Sequence, residues 1–145
     1  AAQVLQSCID LMREADAELL ADPYIYGFSQ VLSQPEFNGG GPVRALLEAL
    51  EAGRLATALH VADLESGEVR VIIGGEHDAD FLRPYGVVLA TYGNENEGRG
   101  VLAALGPVRM SYMVAIPSVR YLAEIMTELT DDASPGHRRN VEPVN

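Results

Sequence analysis

Residues 98–128 decide the fold and read GRGVLAALGPVRMSYMVAIPSVRYLAEIMTE. The apolar run from Val101 to Leu105 is typical of a short strand covered on both faces. Gly106 and Pro107 should end this strand, because proline lacks the amide hydrogen that a sheet ladder needs. Beyond Met110, one apolar helix face is predicted by residues at steps of three and four: Tyr112, Ala115, Val119, Leu122, Met126 and Leu129. We therefore expect a closing helix that lies on a sheet or on another helix.

Two further strands are predicted before this segment. Val69–Ile73 is rich in β-branched residues and ends at two glycines, and residues 86–92 are again apolar. Residues 93–98 are mostly glycine, asparagine and glutamate, which are typical of a turn. Because so short a connection cannot contain a crossover, the strands on either side of it should pair antiparallel.

The first 65 residues are predicted to be mainly helical. An amphipathic helix over residues 4–21 carries an apolar stripe of Leu5, Cys8, Met12, Ala15 and Leu19. It should stop at Asp22, because the residue before a proline is forced out of helical geometry. This stripe packs either inside the chain or against a second copy, and the pattern alone leaves both open.

Shorter elements follow this helix. Residues 24–26 suit a short strand, and residues 28–32 suit one or two helical turns. Pro42 fits the first turn of a helix that ends before Gly53, with Val43, Leu46, Leu47 and Leu50 on its apolar face. Residues 54–63 are predicted to be helical. A strand over residues 58–64 is the alternative, although alanine is a weak strand former.

Four patches, in the same order, resemble the bacterial heat-inducible transcription repressors of the HrcA family. Residues 27–32 read GFSQVL, residues 35–37 read PEF, residues 73–76 read IGGE, and residues 106–112 read GPVRMSY before Ile116, Pro117 and the helix. The resemblance covers most of residues 23–130. The positions that carry these motifs, and for which we expect structural roles, include Gly74, Glu76, Gly106, Pro107, Arg109, Met110 and Tyr112.

The resemblance implies an α+β fold: a GAF-like antiparallel sheet covered by helices, with a mainly helical inserted region for dimerisation. On this basis residues 1–65 would form the helical part, residues 66–131 the sheet and closing helix, and residues 132–145 a flexible tail. The winged helix of the family, which would read operator DNA, is missing. The implied protein represses chaperone operons by binding an inverted-repeat operator as a homodimer, with its activity maintained by the chaperonin and lost on heat stress.

Composition excludes some classes of function. Hydrophobic residues make up 48% of the 145, which is enough for a real core. Ten basic and 21 acidic residues give a net charge of −11, which argues against contact with a phosphate backbone. A single cysteine, Cys8, fits a cytoplasmic location, and no apolar run is long enough to cross a membrane. The chain starts at Ala1 without methionine, so we expect a piece of a longer protein.

Candidate chemistry is sparse, and we expect neither catalysis nor a cofactor or metal. Glu76, His77, Asp78 and Asp80 are possible metal ligands, but neighbouring residues of one loop rarely converge on one ion, so a solvated loop is favoured. Glu76 should instead hold the backbone at the strand end. His60 has no recognisable partner.

The glycines at 98, 100 and 106 bracket a strand, whereas a dinucleotide fingerprint lies between a strand and a helix. We therefore expect Gly98 to shape a hairpin and Gly106 a turn. Arg109 should bridge carboxylates or backbone carbonyls, with contact to an anionic effector as the alternative. Tyr112 should pack on the sheet with its hydroxyl bonded.

The sequence and the family resemblance therefore give two hypotheses for the function. The first is the dimerising and regulatory region of a heat-shock repressor, with Leu5, Cys8, Met12 and Leu19 as the candidate dimer contact. The second is a GAF-like module that senses a small molecule in a cavity between the sheet and its helices.

Overall fold

A computed structural model describes residues 25–132, except Glu95, Glu97 and the side chain of Phe28. Its α-helices are α1 (Phe28–Leu32), α2 (Gly41–Glu51), α3 (Leu55–Ala58) and α4 (Tyr112–Asp132). Short 3₁₀ helices cover Pro35–Phe37, Val61–Asp63, Gly74–Glu76 and Asp80–Leu82, and the strands are β1 (Val69–Ile73), β2 (Tyr85–Asn94) and β3 (Gly98–Pro107). The predicted α+β fold is confirmed. The helix predicted over residues 4–21 and the predicted tail from residue 133 lie outside the described residues.

The three strands form one antiparallel sheet in the order β1-β2-β3. The register sets Ile73 opposite Gly86, and Tyr85 opposite Pro107. The antiparallel pairing of the last two strands was predicted correctly, and β3 ends at Pro107 as expected. Residues 101–105 are partly covered on both faces, as predicted: Val101 and Leu105 pack against apolar side chains on one face, and Leu102 and Ala104 pack on the other, although Ala103 is exposed.

Gly93 and Gly98 make the hairpin between β2 and β3 possible. Gly93 has φ 79° and Gly98 has φ 112°, a region that residues with a Cβ rarely adopt. A Cβ built on Gly93 would lie 2.1 Å from the carbonyl oxygen of Gly98. The predicted role of Gly98 in the hairpin is therefore confirmed.

Alternate residues of β2 contribute to two separate apolar clusters. Tyr85, Val87 and Leu89 point to one face of the sheet, where helices from the first half of the described chain pack. That cluster also contains Phe37, Val43, Leu46, Leu59, Val61, Leu64 and Leu82. Val88 and Ala90 point to the other face, against α4. Because the first cluster joins both halves of the chain, the proposed division at residues 65 and 66 stays a prediction.

The core-facing side of α4 differs from the predicted one. Val119 and Ala123 are buried against β2, whereas Leu122 is 48% exposed and Leu129 is 62% exposed. The predicted face, which was expected to lie on a sheet or on another helix, reaches the sheet through Val119, whereas its two leucines are not in the cluster beneath the helix. A small residue such as Ala123 lets the helix backbone approach the sheet closely, and this turns the leucines to one flank.

The first helices largely follow the sequence. Residues 28–32 form α1, but residues 25 and 26 are in neither helix nor strand, so the predicted strand there was wrong. Gly27, with φ 75°, turns the chain directly into α1 instead.

The structure confirms the ends of α2, with Pro42 in its first turn and Gly53 just beyond its last residue. Its face is rotated slightly, because Ala49 is fully buried and Leu47 is 40% exposed. Residues 55–63 are helical, as favoured, but His60 with φ 51° divides them into α3 and a 3₁₀ turn.

Candidate functional site

Three of the four sequence motifs meet at one end of the sheet, and Arg109 connects two of them. Its guanidinium donates through Nε to Glu36 Oε1 and through Nη2 to Glu36 Oε2 at 3.2 Å. Nη2 also donates to Gln34 Oε1 at 3.1 Å. The hydrogen bond from Arg109, and after it a backbone hydrogen bond, lowers the pKa of Glu36. The hydrogen bond to Glu36, and after it the negative charge of that carboxylate, raises the pKa of Arg109. The contact ties the turn before α4 to the 3₁₀ helix Pro35–Phe37, across 73 residues of chain.

The glycine and glutamate after β1 belong to the same region. Gly74 has φ 58°, and a Cβ on it would lie 3.6 Å from Cγ2 of Val108. Glu76 turns back, and its Oε2 accepts a hydrogen bond from the backbone nitrogen of Ile73 at 2.8 Å. This bond fixes the backbone where the strand ends.

Tyr112 and Met110 cover two glycines of the sheet. A Cβ on Gly86 would lie 2.0 Å from Oη of Tyr112, and a Cβ on Gly106 would lie 2.9 Å from Sδ of Met110. Tyr112 Oη donates to the carbonyl oxygen of Val108 at 2.6 Å. Burial, and then the charge of Glu76, raise the pKa of Tyr112. The two glycines therefore provide the space in which α4 begins.

We call this region the motif junction: Gln34, Glu36, Gly74, Glu76, Gly86, Gly106, Pro107, Arg109, Met110 and Tyr112. Its hydrogen bonds are made within the chain, and those of Arg109 join two elements that are distant in sequence. The sequence predicts structural roles for most of these residues, but it does not predict the contact between Arg109 and the PEF motif. Gly86 was also missed, because an isolated glycine at the start of an apolar strand gives no sign of which side chain fills its space.

The four possible metal ligands after β1 turn to different partners. Asp78 lies 2.8 Å from Nε2 of His60, Asp80 lies 3.2 Å from Arg83, and Glu76 bonds the backbone. His60 therefore has a partner that the sequence did not reveal. Within residues 25–132, no group of three or more His, Cys, Asp or Glu is arranged to hold a metal ion.

His77 corrects the expectation of a solvated loop. Only 2% of it is exposed, and its Nε2 lies 3.1 Å from the carbonyl oxygen of Tyr85. Its Nδ1 and the Oη of Tyr85 are both buried without a hydrogen-bond partner among the described residues. Burial lowers the pKa of His77 and raises that of Tyr85, whose ring stacks on Phe37 at 5.0 Å. The charged neighbours of His77 in sequence hid this burial.

A cavity of about 390 Å³ lies between α4 and the start of β1. Its wall includes Glu68, Thr91, Arg120 and Thr127. The two threonine hydroxyls are already used internally: Thr91 Oγ1 accepts from Gly67 and donates to Glu65, and Thr127 Oγ1 accepts from Gly93. Its volume is at the low end for a small-molecule site.

None of the helices within residues 25–132 is both long and apolar enough to cross a membrane. The antiparallel sheet, the helix that covers it and the motif junction define an α+β domain whose motif residues hold its own elements together.

The chain belongs to the HrcA family, because the family model described as "HrcA protein C terminal domain" matches residues 1–116. A heat-inducible transcription repressor HrcA from Roseiflexus sp. (strain RS-1) is 38% identical over 144 residues, which are 97% of this chain and 40% of that protein. The repressor of the same name from Herpetosiphon aurantiacus is 44% identical over 117 residues, which are 81% of this chain and 32% of that protein. The chain thus spans well under half the length of these relatives and matches their C-terminal portion. Both relatives are named as heat-inducible transcription repressors.

A crystal structure described as that of a hypothetical protein has a similar fold. Its TM-score is 0.62 at 19% identity, and the match covers 75% of this chain and 32% of that one. At this identity the likeness concerns the fold alone.

Proposed function

We propose that this chain is the dimerising and regulatory region of a repressor of chaperone operons. The observation that carries the proposal is the family match over residues 1–116, to the C-terminal domain of heat-inducible repressors. In the proposed protein a winged helix outside this chain reads an inverted-repeat operator, and the chaperonin maintains activity in the cytoplasm. This chain would act by assembly and would carry out no catalysis.

Electrostatics support a division of labour between the two regions. A net charge of −11 repels a phosphate backbone, and binding to DNA requires clustered lysine and arginine. At the motif junction, Arg109 is neutralised by Glu36. DNA binding would therefore belong to the winged helix, and this chain would set the distance between two of them.

A two-fold dimer gives this arrangement a physical purpose. Two reading heads related by symmetry match two half-sites at fixed spacing, so loss of the dimer weakens both contacts together. The candidate contact is the stripe of Leu5, Cys8, Met12 and Leu19, and the motif residues would keep the scaffold rigid.

Two measurements on the 145-residue chain test the proposal. Sedimentation equilibrium should give twice the mass of one chain, and a gel shift with operator DNA should show no salt-sensitive binding. A longer chain that includes the winged helix should bind the same DNA. A monomer at high concentration, or a tight gel shift by this chain alone, would contradict the proposal.

The alternative is a small-molecule sensor, and the cavity beside α4 is the observation that favours it. A ligand that fills this cavity should raise the melting temperature saturably. Thr127→Leu should block the effect by filling the space, whereas Ser118→Leu, on another side of the same helix, should not. No shift over a broad screen of metabolites would count against the sensor.

A further inference from the structure

The helix α4 carries a second apolar surface that the sheet does not cover. We call it the outer strip: Val114, Tyr121, Leu122, Ile125 and Leu129. Four of these side chains are well exposed, Val114 at 65%, Tyr121 at 62%, Leu122 at 48% and Leu129 at 62%. With about 100° of rotation per residue, all five project from one flank, away from the core-facing Val119 and Ala123. Such a row of apolar side chains is typical of a surface that binds another element.

The outer strip runs along most of the helix. From Val114 to Leu129 it covers 15 steps of about 1.5 Å, or about 22 Å. Met113 is also exposed, at 90%, but it projects from the opposite flank, as does Glu124. The two flanks of the exposed surface therefore differ, and one of them offers matched controls for the other.

The stripe from Leu5 to Leu19 has the same length. In a helix its 14 steps would cover about 21 Å, and its apolar side chains recur at three- and four-residue spacing. The described chain begins at Ile25 and Tyr26, which are 48% and 88% exposed. The chain therefore joins the folded body through residues that project into solvent.

We infer that the outer strip of α4 is the surface on which residues 4–21 of a second copy dock. The inference rests on the proposed dimer and names the surface that receives its candidate contact. In a two-fold dimer each copy both offers its segment and receives its partner's, so a modest contact is made twice. Doubling matters, because a stable complex typically buries more than about 1,200 Å² in total.

Cys8 provides a direct test, because it is the single cysteine of the chain. One version of the 145-residue chain keeps Cys8, and a second, larger tagged version carries Cys8→Ser with Ile125→Cys. The two are mixed, dissociated, reassociated and exposed to oxidised glutathione. A mixed covalent dimer can then form only if position 8 of one copy lies beside position 125 of the other.

If the helix of residues 4–21 lies antiparallel to α4 of the other copy, position 125 is opposite position 8. If it lies parallel, position 118 is opposite position 8. We expect a mixed covalent dimer with Ile125→Cys or with Ser118→Cys, and none with Glu124→Cys on the other flank. Leu122→Gln should shift sedimentation from dimer to monomer while the circular dichroism spectrum is unchanged. Met113→Gln should leave the dimer intact.

The outcomes separate this inference from the proposed function. A dimer that gives no mixed product at either position, or that ignores Leu122→Gln, overturns the inference and leaves the dimer in place. A disulfide found only within one chain, when Cys8 and Ile125→Cys are present together, shows that the segment folds onto its own α4 and also overturns it. A chain that is monomeric at all concentrations overturns both.

Discussion

Replacing Gly86 by alanine tests how tightly α4 is fitted to the sheet at the motif junction. A Cβ at this position would meet Tyr112, with Oη at 2.0 Å, Cζ at 2.9 Å and Cε1 at 3.1 Å. The backbone of Gly86 lies in β2 and has no positive φ, so alanine itself is acceptable there. The cost must therefore come from displacement of the tyrosine ring.

The magnitude follows from two losses. Overpacking of a fitted site typically costs about 1–3 kcal/mol. If the ring moves away, the hydrogen bond from Tyr112 Oη to Val108 is lost as well, for about 1 kcal/mol more. We expect Gly86→Ala to lower the free energy of unfolding by about 2–4 kcal/mol, summed over these two effects.

Urea unfolding, followed by circular dichroism, measures this loss as a lower midpoint with an unchanged slope. Gly75→Ala is the matched control, because a Cβ there meets nothing within 4 Å, and its effect should be within about 0.5 kcal/mol. In a Tyr112→Ala background the cost of Gly86→Ala should fall to that of the control. A small effect of Gly86→Ala alone, or the same cost in both backgrounds, would refute the proposed fit.

Three other outcomes are expected. Because burial lowers the pKa of His77, the unfolded chain binds a proton that the folded chain does not, and stability should fall below pH 6.5 by up to about 1.4 kcal/mol per pH unit. His77→Gln should remove this dependence in unfolding curves measured between pH 5 and 8. Val119→Ala should cost about 2 kcal/mol or more in urea unfolding, because the side chain is 4% exposed, and Met113→Ala should cost clearly less, because that side chain is 90% exposed; equal costs would contradict the orientation of α4. Arg109→Gln should raise the pKa of Glu36 toward 4.5 in an NMR titration, and an unchanged pKa would show that the ion pair is absent in solution.

Local patterns predicted most of the elements, because their causes are local. Proline at the start of α2, the glycine after it and the glycines of the β2–β3 hairpin each restrict the backbone within a few residues. The apolar run of β2 and the β-branched residues of β1 were sufficient to predict these two strands. What such patterns cannot give is the choice between two apolar sides of one helix.

The helix α4 shows why that choice failed. Apolar residues occur around much of its circumference, so a three- and four-residue spacing can be drawn through Leu122 and Leu129 as well as through Ala123. The large side chains of Leu122 and Leu129 favour a prediction in which they are buried. Close approach of the helix to the sheet, however, requires the small side chain of Ala123. The size of the space beneath the helix is set by β2, which is distant in sequence.

The motif junction was predicted only as a set of separate motifs. The contact between Arg109 and Glu36 spans 73 residues, and the sequence around either residue does not indicate the other as its partner. The expectation for His77 was wrong for the opposite reason. Its acidic neighbours favour a solvated loop, whereas its own ring is buried. The sequence therefore predicts most members of the candidate site, but only the tertiary structure shows that they lie together.

The central strand has a consequence for how the sheet selects its alignment. Val87 and Leu89 enter one apolar cluster and Val88 and Ala90 enter the other, so a shift by one residue would still place apolar side chains on both sides. Hydrophobic alternation therefore penalises a misaligned strand only weakly in this protein. Discrimination depends instead on glycines, which have no side chain: Gly86 and Gly100 leave room for the rings of Tyr112 and Tyr92, Gly106 for Met110, and Gly93 for the return of the chain. Correct alignment is thus enforced mainly by steric exclusion at four points along β2 and β3.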